Sequence, residues 1–80
     1  MTRYITICIM GDVVTSSYVY VAKEEAMEEL LKTYERNHVN NKKVEVSNVI
    51  KTEDSIAFDE RFVDDDVTWR VEYRVIPFTL

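Results

Sequence analysis

Seven carboxylates crowd residues 53–66: Glu53, Asp54, Asp59, Glu60, Asp64, Asp65 and Asp66, with Arg61 the one cation among them. Seven acids against one base give that stretch −6, while nine basic and eight acidic groups give the other 66 residues +1. Carboxylates at such density solvate a loop, hold a divalent cation, or steer a basic partner into place. A calcium loop needs alternating ligands around a glycine, and Asp64-Asp65-Asp66 has neither. Adjacent carboxylates also cannot all turn towards one ion. The chemistry left for a function is docking, with the two turns around Glu53-Asp54 and Asp64-Asp65-Asp66 lying along one rim of the fold. There the carboxylates would pair with Arg and Lys on a partner protein. At the extreme, they would imitate phosphates and occupy the partner's nucleic-acid-binding surface.

The other reactive side chains have no supporting cast. Cys8 lies inside an apolar stretch, where a buried thiol is inert. His38 follows a helix in an Asn-rich turn, which leaves it facing water or the helix C-terminus. Ser16, Ser17, Ser47 and Ser55 lack a nucleophile-elbow context. One glycine builds no phosphate cradle, and one His with one Cys builds no zinc site. The expectation is therefore no catalysis, no cofactor and no metal. A second kind of binding rests on Tyr18, Tyr20, Arg70 and Arg74: tyrosine beside arginine on an open sheet face stacks single-stranded bases.

Eighty residues make one small domain, 1–80, and 46% hydrophobic content is too rich for a disordered chain. A net charge of −5 disfavours duplex DNA and anionic membranes, which select clustered Lys and Arg. No apolar run approaches the roughly 20 residues that span a bilayer. The N-terminal residues do not read as a secretory leader, and a lone cysteine fits a reducing, cytoplasmic setting.

The elements that must position these groups follow from periodicity. Arg3 to Met10 alternates Ile5, Ile7 and Ile9 with Tyr4, Thr6, Cys8 and Met10, which predicts a strand. Gly11-Asp12 closes a hairpin to Val14–Val21, with Tyr18 and Tyr20 opposite Val19 and Val21. If the valines face the core, the tyrosines share the open face with Tyr4 and Met10. Over Lys23 to Asn37 the period changes. Ala22, Ala26, Met27, Leu30, Leu31 and Tyr34 form a helical stripe, with Glu24 and Glu25 at the start and Lys32 and Arg36 near the end. Strands are predicted at Lys43–Lys51, with a bulge near Asn48, and at Val67–Ile76, ended by Pro77. Ser55 to Val63 fits either a strand or a helical turn. The order β-β-α-β-β-β predicts an α+β fold with one helix on a mainly antiparallel sheet of four to five strands.

In size, acidity and lack of catalytic groups the chain is similar to small accessory proteins carried by bacteriophages, several of which disable host nucleases or defence systems. That similarity lies in bulk properties and in no motif. It implies a small acidic inhibitor acting by contact. A third reading is a structural homodimer whose open sheet faces pack together, using the semi-apolar Tyr4, Thr6, Cys8 and Met10.

Overall fold

The computed structural model describes the backbone of residues 1–80 and every side chain except those of Ser16 and Ser17. The period-two stretches become five strands: β1 (Thr2–Met10), β2 (Val13–Tyr20), β3 (Val44–Lys51), β4 (Ser55–Phe62) and β5 (Val67–Thr79). Between β2 and β3 run the helix α1 (Lys23–Tyr34) and a π-helical turn, Glu35–Val39. The strands form one sheet in the order β2-β1-β5-β4-β3, antiparallel at every pairing. With α1 on one face, this is the expected α+β fold. The segment 55–63 resolves as a strand.

The core lies between α1 and the face formed by Ile56 and Phe58 of β4 and Val71, Tyr73 and Val75 of β5. Ala26 and Leu30 close it from the helix. No side chain caps α1. Its first residue follows an extended Ala22, whose carbonyl accepts from the Ala26 N–H at 3.1 Å. A stripe stepping by four residues drifts about 40° per step around an α-helix. The wider turn after Tyr34, closed by the Asn40 N–H on the Glu35 carbonyl at 2.8 Å, brings His38 back onto the buried face.

Register decides which face of β1 the helix covers. Thr6, Cys8 and Met10 stand opposite Val75, Tyr73 and Val71 of β5, all buried. Tyr4, Thr6, Cys8 and Met10 therefore line the helix side, and Ile5, Ile7 and Ile9 take the open side. This reverses the expectation of a semi-apolar open face built from the first four residues. In the β1–β2 pairing the register shifts between Ile5 and Ile7, so Tyr20 stands opposite Tyr4 and Val19 opposite Ile5. The bulge expected near Asn48 falls between Ser47 and Ile50, with Asn48 at φ 51°.

Pro77 does not end β5, which continues to Thr79. The Val75 N–H points away from β1, to the Asp54 carbonyl at 2.8 Å, so two residues on, the missing Pro77 N–H would point the same way. The β4 ladder stops at the Ser55–Arg74 pair, and no donor is needed there.

Phe58 is fully buried beside Tyr34, His38 and Tyr73. Phe58→Ala is expected to cost about 3–5 kcal/mol in denaturant unfolding, a large part of the stability of a chain this small. Gly11→Ala is expected to cost less, about 1–2 kcal/mol, because a Cβ there meets nothing within 4 Å and only the positive φ of 58° resists it.

Candidate functional site

The acidic stretch is taken apart by the strand that runs through it. Glu53 and Asp54 precede β4 and Asp64, Asp65 and Asp66 follow it, so an eight-residue strand holds them about 26 Å apart at 3.3 Å per residue. Asp59 and Glu60, adjacent in β4, point to opposite faces. The seven carboxylates therefore form no common rim, contrary to the expectation from sequence.

Five of the seven have an internal partner, three of them a Lys or Arg. Glu53 lies 3.5 Å from Lys23, Asp54 accepts the Thr52 hydroxyl at 2.9 Å, and Asp66 accepts from Arg61 at 2.9 Å. Asp59 accepts from Asn48 at 2.7 Å and Arg70 at 3.0 Å, and both hold its carboxyl below the usual carboxylate range. Asp64 and Asp65 are the two of the seven with no side-chain partner among the described residues.

Glu60 departs furthest from the expectation of a docking carboxylate. It is 2% exposed and hydrogen-bonded to Nδ1 of His38, which is itself 5% exposed. The imidazole was expected at the helix end or in water. Instead Nε2 lies 2.7 Å from the Tyr73 hydroxyl, and the Trp69 indole N–H donates to the second oxygen of Glu60 at 3.4 Å. With Nδ1–H donating to Glu60, Nε2 accepts a hydrogen bond from the Tyr73 hydroxyl, so each group is satisfied. No buried side-chain N or O among the described residues lacks a partner.

Beside this network a cleft of about 400 Å³ opens between α1 and the β1–β2 hairpin, lined among others by Cys8, Thr15, Tyr18, Tyr20, Arg36 and Tyr73. Burial, with the nearby Cys8 and Glu60, pushes the Tyr73 phenol well above its ordinary value, and burial likewise raises the Cys8 thiol. Both stay protonated near neutral pH, the opposite of what an activated nucleophile or base needs. The network holds Tyr73 and the helix end in place.

The tyrosine–arginine face is not formed. Tyr20 lies on the helix side opposite Tyr4, and Tyr18, 82% exposed, lines the same cleft. Arg70 and Arg74 project from the other side, in ion pairs with Asp59 and Glu72.

That other side has no helix over it. Ile5, Ile7 and Ile9 of β1 and Ile76 of β5 are half-buried side by side, and Val14 and Val19 of β2 flank them at 63% and 59% exposure. Towards β3 the same face carries the paired charges Asp59–Arg70, Glu72–Arg74 and Glu45–Arg61. With Arg3, the face holds four cations and three anions, +1, so the turns and the helix side carry −6. Periodicity in β1 showed this isoleucine stripe but could not say which way it pointed.

His38→Ala leaves the Glu60 carboxylate buried without its partner, and the expected loss in chemical denaturation is about 3–5 kcal/mol. Trp69→Phe removes a long hydrogen bond and part of a ring packed edge-on against Phe62, and is expected to cost about 1–2 kcal/mol. The pH response has a definite sign. The folded chain holds Tyr73 above the value near pH 10 at which the unfolded chain ionises, so its contribution is intact below about pH 10. It is lost as pH climbs from there towards the raised folded value. The thermal midpoint is expected to fall over that alkaline window, and Tyr73→Phe to flatten part of the fall.

No protein-family model, curated protein or solved structure matches the chain.

Proposed function

We propose that the protein works by binding another protein through the uncovered face of its sheet, without catalysis. The observation that carries this reading is the patch of Ile5, Ile7, Ile9, Ile76, Val14 and Val19 on the side opposite α1. A contiguous apolar patch on an open sheet is a typical contact surface. The paired charges beside it suit a polar rim. The phenol and thiol of the cleft, both held protonated, favour binding over covalent chemistry.

Docking on a basic partner by the residues 53–66 has less support, because it retains Asp64 and Asp65 as its unpaired carboxylates. Single-strand binding has less support still, because its stacking and cationic groups lie on opposite faces. An inhibitory role, which the likeness to phage accessory proteins implies, follows if the bound partner is an enzyme whose activity falls on complex formation. The single free thiol of Cys8 fits a reducing, cytoplasmic setting. No helix among the described residues is long and apolar enough to cross a membrane.

Affinity capture from lysate compares three forms of the protein at low salt and at about 0.5 M salt, where exposed charge pairs are screened. Wild type and the Asp64→Asn, Asp65→Asn, Asp66→Asn triple variant are expected to retain the same partner at both salts, and Ile7→Lys to lose it. Loss with the triple variant but not with Ile7→Lys would return the function to the acidic turn.

A further inference from the structure

We infer that the open sheet face is occupied by a second copy of this chain, packed sheet on sheet about a two-fold axis perpendicular to the strands at the level of Cys8 and Tyr73. The inference rests on the proposal that this face is the binding surface, and it names the partner.

Size makes the arrangement feasible. Five strands at about 4.8 Å and eight residues at about 3.3 Å give a face of roughly 600 Å² in projection. The axis falls at the last residue of β3 and beside the first of β4, so the overlap lies mainly on β2, β1 and β5, roughly 400 Å² in projection, the size of a weak interface.

Register supplies the complementarity. In β1, Cys8 stands opposite Tyr73 of β5, and Tyr73 opposite Ile56 of β4. A two-fold axis across the strands at that level maps each strand onto its own copy, reversed. Ile7 then meets Ile9 of the second copy, and Ser55 meets Ala57. In β5, Glu72 meets Arg74 of the second copy and Arg74 meets Glu72, so the axis turns an intrachain pair into a four-membered alternating cluster. Such a contact is self-complementary, as a two-fold interface requires. The twist of two packed sheets rotates them by about 30° and spares the contacts nearest the axis.

The charge distribution points the same way. A chain of −5 resists self-association unless the surplus lies elsewhere, and this face carries +1. Of the −6 elsewhere, the turns hold −4 and the helix side −2, and packing sheet on sheet sends the helix sides to the outside of a helix–sheet–sheet–helix sandwich. Two sheets about 10 Å apart, each backed by a helix layer about 10 Å away, separate those sides by several Debye lengths.

Sedimentation equilibrium and light scattering test the arrangement. Wild type is expected at twice the 9.5 kDa chain mass, and Ile7→Lys is expected to weaken the dimer at least 100-fold with its circular dichroism unchanged. Glu72→Arg alone and Arg74→Glu alone each set like charges across the axis and are expected to weaken it at least tenfold. Mixing the two variants restores opposite charges at both contacts and is expected to recover the dimer, which no folding defect would do. Wild type at monomer mass up to about 100 µM, above the micromolar constants of weak interfaces of this size, overturns the inference. So does a failure of the mixed variants to associate. If wild type is monomeric and Ile7→Lys still loses its captured partner, self-association falls and the binding face stands. If wild type is monomeric and Ile7→Lys retains that partner, both fall.

Discussion

One helix must serve a five-stranded sheet, and it has a single apolar stripe. α1 is twelve residues long, about 18 Å, against a sheet about 24 Å across. It covers one face, and not all of that: the cleft beside β2 and the half-exposed Trp69 mark where its cover ends. The rest of the molecule follows from which face was chosen. The helix took the face with Phe58, Tyr73 and the polar network, whose buried groups need a fixed partner for each hydrogen bond. The isoleucine face needs only an apolar surface, and a second protein can supply that.

The pairing of Glu60 with His38 shows the cost of that choice and its use. Removing a carboxylate and an imidazole from water is unfavourable, and the attraction between them recovers this only where the remaining hydrogen bonds are also made. Tyr73 and Trp69 make them. The network ties the end of the helical segment to β4 and β5, so the helix has one register on the sheet. The π-turn is the local backbone adjustment that makes this contact possible.

Much of the architecture was legible in the chain. Alternation gave the strands, the Ala26-Leu30-Tyr34 stripe gave the helix, and the broken phase around Asn48 marked a bulge. The direction in which β1 faces was not legible, because both of its sides are apolar. Its decision comes from pairing Cys8 with Tyr73, 65 positions away. The fate of the acidic residues hung on whether 55–63 is a strand or a helical turn. A turn would have kept the carboxylates together; a strand sends Asp59 and Glu60 to opposite faces and moves the flanking acids to opposite ends. The signs that Glu60 is buried were present in the alternation Ile56-Phe58-Glu60-Phe62, and those for His38 in its place four residues after Tyr34. A composition-based reading of charge passes over both.

Cover of the isoleucine face by a second chain is read from magnetisation transfer between differently labelled chains in a mixed sample. Methyl-labelled Ile5, Ile7 and Ile9 are expected to show intermolecular effects to unlabelled side chains of the same face, strongest between Ile7 and Ile9. Intermolecular effects absent from these methyls, or confined to Tyr18 and Tyr20 on the helix side, would mean that no second chain covers this face.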